Sequence, residues 1–139
     1  DATGGDTANA EVLLSTTMTA LRDELGTAKK AAVNGSSKEL AYYESATQNC
    51  YAKLSSTGDG ITITYLDSSL QAIDGKTVQL VSRAAATEKL HTVYESIKYE
   101  NGVYTVKGLV VKKGSDTILA GKANGSYQIR PINPPEIVS

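Results

Sequence analysis

Few side chains in this 139-residue sequence have the types and spacing that catalysis or metal binding requires. His91 is its one histidine and Cys50 its one cysteine, and neither lies at a recognisable spacing from a nucleophile or base. A zinc site needs three or four such ligands, and the chain offers two. We therefore expect His91 to be a surface or core histidine and Cys50 a small buried hydrophobe. The sequence predicts no catalytic residue, no metal ligand, no cofactor and no enzymatic activity.

Three aspartates near turn sequences, Asp59, Asp67 and Asp74, could offer carboxylate oxygens to calcium. Their spacing matches no calcium-binding loop, and Asp before Gly is favourable turn chemistry. The two Asn-Gly-Ser sequences at Asn34 and Asn124 fit the glycosylation pattern but are equally typical of turns. Turns are the favoured interpretation in all five places.

Aromatic residues are unevenly represented, with eight tyrosines and neither Trp nor Phe. Four of the tyrosines could form an exposed row that stacks on sugars or bases: Tyr94, Tyr99, Tyr104 and Tyr127. Packing against a helix is the favoured alternative, because no cluster of Arg or Lys accompanies them. Fourteen basic and fifteen acidic residues alternate along the chain, so no nucleic-acid partner is expected.

An N-terminal helix over residues 7–34 is predicted to organise the fold. Apolar residues recur every three or four positions and lie on one stripe: Leu14, Met18, Leu21, Leu25, Ala28 and Ala32. Val12 points away from this stripe and, with Leu13, is a possible contact to another subunit. Asn34-Gly35 is predicted to end the helix, because glycine readily adopts the left-handed conformation common at helix C-termini.

Two dipeptides predict β-hairpin turns in the remaining chain. Asn101-Gly102 separates two β-rich runs, and a type I′ turn there pairs Glu100 with Val103, Tyr99 with Tyr104 and Ile97 with Val106. That register places one face toward the core, made of Val93, Ile97, Tyr99, Tyr104, Val106 and Val110. Asp74-Gly75 predicts a second hairpin between residues 70–73 and 76–81.

Other strands are predicted from alternation with period two, most clearly over residues 61–65 and also over 117–120 and 126–132. Residues 40–43 and 50–54 fit either short strands or helical turns, and the choice stays open. Residues 83–89 are expected to be a helical or loop-like linker.

The segment TTMTALRDELGTAKKAA resembles the part of minor pilins and type II secretion pseudopilins where the membrane helix meets the sheet. The residues that carry the resemblance are Ala20, Leu21, Glu24, Leu25, Ala28, Lys29, Lys30, Ala31 and Ala32. LVS at 80–82, YENGVYTVKGLVVKKG at 99–114 and IRPIN at 129–133 are similar to prepilin-type proteins of Gram-positive bacteria. The family's cleavage site, the Glu after it and the apolar segment are absent, so the sequence is expected to begin downstream of them.

The resemblance implies an α+β fold in which a long N-terminal helix packs on an antiparallel β-meander. It implies one pilin-like domain, 1–139, with a flexible start at 1–6, a helix at 7–34, mainly antiparallel sheet at 36–133 and a tail at 134–139. The implied function is a structural subunit, major or minor, of a type IV pilus or a type II secretion-like filament.

Such a subunit would assemble through its N-terminal helix with other pilin subunits and the assembly machinery. It would derive from a membrane-anchored precursor and lie at the cell surface. The alternative is a cell-surface module that binds a glycan or peptide with a Tyr-bearing sheet face. Reading the residues encoded before Asp1 would separate the two.

Overall fold

The computed structural model describes residues 2–81, 89–120 and 125–138, with side chains from Thr7 onward. Within these ranges one helix is followed by short strands, so the described chain is mostly β. The elements are α1 (Ala2–Gly26), β1 (Lys30–Val33), β2 (Leu40–Ser45), β3 (Cys50–Thr57), β4 (Gly60–Leu66), β5 (Ala72–Gln79), β6 (Leu90–Val93), β7 (Ser96–Glu100), β8 (Val103–Lys107), β9 (Val110–Lys113), β10 (Asp116–Leu119), β11 (Tyr127–Ile129) and β12 (Glu136–Val138).

The helix begins at Ala2, within the start that was expected to be flexible, and ends at Gly26, so the predicted helix over 7–34 is wrong at both ends. Glycine has low helix propensity, and the backbone beyond it finds other partners. Ile132 N–H donates to the Gly26 carbonyl at 2.9 Å, and Lys29 N–H donates to the Glu44 carbonyl at 3.0 Å. Residues 30–33 therefore continue as a strand, and the apolar stripe of the helix stops at Leu25.

The strands form three sheets, and the predicted long helix on a single antiparallel meander is wrong. One sheet has six strands in the order β12-β1-β2-β3-β4-β5, and two have three strands, β10-β9-β6 and β11-β8-β7. β12 pairs parallel to β1, whereas the neighbours along the rest of the six-stranded sheet are antiparallel. The expected tail at 134–139 thus contains a strand at the edge of this sheet.

The Asn101-Gly102 hairpin is confirmed. Both turn residues have positive φ, 54° and 81°, as a type I′ turn requires. The predicted pairs Glu100–Val103, Tyr99–Tyr104 and Ile97–Val106 are all present. The rings of Tyr99 and Tyr104 lie 4.5 Å apart between centroids.

The same hairpin bends beyond β7 and β8, which the sequence did not predict. Gly108 has a φ of 75°, and a Cβ there would overlap the Glu95 side chain. Past this bend β6 pairs with β9 in the separate three-stranded sheet. Leu109 and Val111 are fully buried after the bend, whereas Val110, assigned to the core face by simple alternation, is half-buried.

The prediction of a hairpin turn at Asp74-Gly75 is wrong. β5 runs through both residues and pairs with β4 on either side of a register shift. Gly75 keeps a positive φ of 73°, which suits a bulge as well as a turn. The chain reverses earlier instead, at Asp67, whose Oδ1 accepts N–H bonds from Ser69 at 2.8 Å and Gln71 at 3.0 Å.

Two clusters of buried side chains hold the elements together. In the larger cluster, the second half of α1 contacts one face of the six-stranded sheet and the β11-β8-β7 sheet, through residues such as Leu21, Tyr43 and Tyr104. The smaller cluster joins the first half of α1 to the β10-β9-β6 sheet through Ala10, Leu13, Leu90 and Val111. The core is therefore a sandwich of sheets closed on one side by the helix.

The remaining predictions have mixed outcomes. The segments left open at 40–43 and 50–54 lie in strands β2 and β3. The linker at 83–89 lies almost wholly outside the described residues, as does Asn124. The single-domain division stays a prediction. Among the described residues, no helix has the length and apolar character needed to cross a membrane.

Candidate functional site

The six-stranded sheet has an outer face that turns away from the core. Side chains alternate along β2, so that Tyr43 is fully buried in the core while Tyr42 and Glu44 lie on the opposite face. Strand pairing brings side chains of β1, β3 and β12 to the same face. We call this set the outer patch: Lys30, Tyr42, Glu44, Tyr51, Lys53 and Glu136.

Two half-buried tyrosines lie at the centre of the outer patch. The rings of Tyr42 and Tyr51 have centroids 5.4 Å apart and planes at 78°, an edge-to-face arrangement. Ala32 pairs with Tyr42, Leu66 pairs with Tyr51, and both are buried although they lie on the outer face. We attribute this burial to the neighbouring rings, which cover the small apolar surface beneath them.

The charges of the outer patch are balanced and close together. Lys30 lies opposite Glu44 on one side and Glu136 on the other. Tyr51, then Glu136 and Glu44, raise the pKa of Lys30 above its ordinary value, because negative charge nearby favours the ammonium form. Two lysines and two glutamates cancel formally, so the patch carries no net charge.

This arrangement is suited to binding. Its groups are two aromatic rings, two ammonium donors and two carboxylate acceptors on a regular sheet surface. The face of an aromatic ring is electron-rich and attracts the weakly positive C–H groups of an apolar ligand face. The surrounding charged groups can exchange hydrogen bonds with hydroxyls at the rim of such a ligand.

A second polar cluster lies between α1 and β2. Tyr43 Oη donates to Glu24 Oε1 at 2.8 Å, and Thr47 Oγ1 donates to Glu24 Oε2 at 3.3 Å. Burial, followed by the Glu24 charge, raises the pKa of Tyr43 far above its ordinary value, so its hydroxyl remains a donor. The pKa of Tyr65 is also raised, first by burial and then by the charge of Glu24. We interpret the cluster as a polar link between the helix and the sheet.

The residues of the predicted helix stripe fall into two groups. Met18, Leu21 and Leu25 are buried on α1, and Leu14 is partly buried beside them. Ala28 and Ala32 are also buried, but outside the helix. The two predicted subunit-contact residues separate: Val12 is 63% exposed, whereas Leu13 is 2% exposed and belongs to the smaller core cluster. Leu13 therefore presents no surface to a partner in this structure.

The residues considered for chemistry remain dispersed. His91 is buried on β6, and the free thiol of Cys50 is at the start of β3. Asp67 shapes a turn, and Asp74 lies within β5. Within residues 2–81, 89–120 and 125–138, no group of three or more His, Cys, Asp or Glu side chains is placed to hold a metal ion.

The proposed row of tyrosines is absent from the surface. Tyr99, Tyr104 and Tyr127 are buried in the larger core cluster, and Tyr94 packs against it. The aromatic pair on the outer face is instead the half-buried Tyr42 and Tyr51, which sequence reasoning missed. Tyr42 and Tyr51 lie in the segments 40–43 and 50–54, which were left open between strand and helix. Had both segments been assigned as strands, the alternation of side chains would have placed one tyrosine of each segment on the outer face.

Comparisons of this chain with protein-family models, with curated proteins and with solved structures found no match. The proposed resemblance to type IV pilins and pseudopilins is therefore corrected, since no family model supports it and the three-sheet fold lacks the long helix on a meander that it implied.

Proposed function

We propose that this chain is a non-catalytic carbohydrate-binding module of the cell surface, and that it binds sugars on the outer patch. The observation that carries the proposal is the edge-to-face pair of Tyr42 and Tyr51 on an outward sheet face. The extracellular location is the one expected from the sequence, and it forms part of the proposal. The filament-subunit role stays an untested prediction, without the fold on which it rested.

The charges of the outer patch favour a neutral glycan over a charged one. Lys30 lies between two carboxylates, so an anionic sugar meets Glu44 and Glu136 as soon as it approaches the ammonium group. A neutral sugar ring instead stacks on a tyrosine and exchanges hydroxyl hydrogen bonds with the lysines and glutamates. The balanced charge likewise disfavours nucleic acid, whose affinity depends on a surplus of cations.

The direct test is binding to soluble neutral oligosaccharides with β- and α-linked glucose, N-acetylglucosamine or xylose units. We expect at least one series to shift amide NMR signals of β2 and β3. Tyr42→Ala and Tyr51→Ala should each weaken binding about tenfold or more, by analogy with the loss of a stacking ring on single-stranded nucleic acid. Tyr42→Phe should keep most of the affinity, because the ring is retained.

Ile132→Ala provides a matched control, since it truncates a side chain that is 76% exposed elsewhere on the surface. It should leave binding unchanged. Peptides of mixed sequence form the comparison arm for the alternative ligand class. Failure of every oligosaccharide to shift the outer patch, or binding that survives both Tyr→Ala changes, would rule out the proposal.

A further inference from the structure

A groove runs beside α1, on a surface distinct from the outer patch. Its volume is about 390 Å³, and it lies between the helix and the chain at β10 and β11. The apolar part is lined by Leu14, Met18, Leu119 and Tyr127. Glu11, Ser15 and Arg22 complete the lining from the helix, and all three are exposed.

The two charged residues of the groove lie in line along the helix. Arg22 lies eleven positions after Glu11, which corresponds to about 16 Å along the axis and a difference of only about 20° around it. Ser15 lies between them on nearly the same line and is exposed, whereas Met18, also in line, is buried. An acidic end, a small polar centre and a basic end therefore follow one another along one exposed strip of the helix.

This strip is complementary to itself. When a second copy approaches antiparallel about a two-fold axis, Glu11 of one copy lies beside Arg22 of the other, and the same contact repeats symmetrically. The centre of symmetry falls midway between Ser15 and Met18. The small and exposed Ser15 side chain of each copy lets the two helices approach closely there, while Met18 stays in the core of its own copy.

We propose that two copies of this chain form a two-fold symmetric dimer through the exposed α1 strip of Glu11, Ser15 and Arg22. The occupant of the groove is thus a second copy, selected by two identical Glu–Arg contacts. This interface differs from the subunit contact expected at Val12, which lies about 100° around the helix from Glu11. It also leaves the outer patch of both copies free to bind ligand.

Sedimentation velocity of the purified chain between 5 µM and 1 mM is the test. We expect a weak dimer with a dissociation constant on the order of 100 µM, because the groove is small compared with stable interfaces. Raising the salt to about 0.5 M should weaken it, since the two Glu–Arg contacts are at the surface.

Charge reversal distinguishes this dimer from other modes of association. Glu11→Arg and Arg22→Glu should each raise the dissociation constant about tenfold or more, because each change creates two like-charge contacts per dimer. The double variant exchanges the two charges, restores both contacts, and should return the constant to within about threefold of the parent value.

Asp23→Arg is the matched control for Glu11→Arg, since it makes the same change in net charge at an exposed position on α1, about 100° around the helix from Arg22. It should leave the dimer intact. If circular dichroism shows that a reversal variant is unfolded, Glu11→Gln and Arg22→Gln replace it, with smaller losses expected. A monomer at 1 mM in low salt, or a folded double variant that fails to recover, would overturn the proposal.

Discussion

Two regions of this protein carry the same local turn signal and use it differently. Asn101-Gly102 and Asp74-Gly75 both place a small polar residue before glycine, and both glycines adopt positive φ. The first forms the predicted hairpin turn, whereas the second lies inside β5. Such a dipeptide therefore indicates where the backbone can adopt positive φ with little strain, and the flanking residues decide whether the chain reverses there.

The flanking residues differ in how much they bury. Around Asn101-Gly102, the predicted register buries Ile97, Tyr99, Tyr104 and Val106 together. Around Asp74-Gly75 almost every side chain of β5 is exposed, including Val78 at 43%. Little apolar burial is at stake there, so the Asp67 turn and the pairing with β4 decide the register.

The largest expected difference in the free energy of unfolding is between Val→Ala substitutions in the two regions. Val106→Ala should lower the free energy of unfolding by about 2–3 kcal/mol, because the fully buried side chain leaves a cavity. Val78→Ala should cost less than about 1 kcal/mol, because that side chain is already partly in water. Urea denaturation of the two variants gives the comparison, and equal losses would contradict it.

A smaller effect is expected at the turn that replaces the second predicted hairpin. Asp67→Ala removes the acceptor of two backbone N–H bonds, from Ser69 and Gln71, and should cost about 1 kcal/mol. Asp67→Asn is the control, because its side-chain oxygen can accept the same bonds. Hydrogen exchange should show faster opening of β5 in the alanine variant alone, and unchanged exchange would argue against this turn.

The smallest effect is the most specific test of the comparison. Asp74→Asn makes the second dipeptide Asn-Gly, identical to the first. We expect a change of less than about 0.5 kcal/mol and unaltered pairing of β4 with β5, because the local signal does not control the register there. Cross-strand nuclear Overhauser contacts between Thr64 and Thr77 report the pairing directly. Their replacement by a new hairpin centred on residues 74–75 would show that the dipeptide decides.

Secondary structure was predicted correctly from the sequence where a local pattern agreed with the burial of the residues that flank it. Strand β4 and the Asn101-Gly102 hairpin belong to this class. The prediction failed for residues 27–34, where alanines and lysines favour helix locally. There the carbonyl of Glu44 and the N–H groups of Ile132 and Glu136 form hydrogen bonds with Gly26 and Lys29. Those hydrogen-bond partners are distant in sequence, so no local pattern predicts them.

The candidate site shows the same division between what a local sequence pattern predicts and what contacts distant in sequence decide. The sequence contains eight tyrosines, but their distribution between core and surface depends on which strand faces pack together. Tyr43 and Tyr42 are adjacent, and pleating alone places one in the core beside Glu24 and the other on the outer face. The sequence could not indicate which was which while β2 was still ambiguous.

What the sequence by itself determined is therefore local: an apolar helical stripe from Leu14 to Leu25, the alternation in β4 and the turn at Asn101-Gly102. Helix periodicity, strand pleating and glycine's access to positive φ are properties of a few neighbouring residues. The tertiary structure alone decided the end of α1 at Gly26, the bend at Gly108 and the aromatic pair on the outer patch. Each of these depends on hydrogen bonds or packing between segments far apart in the chain, whose free energies exceed the local preferences they override.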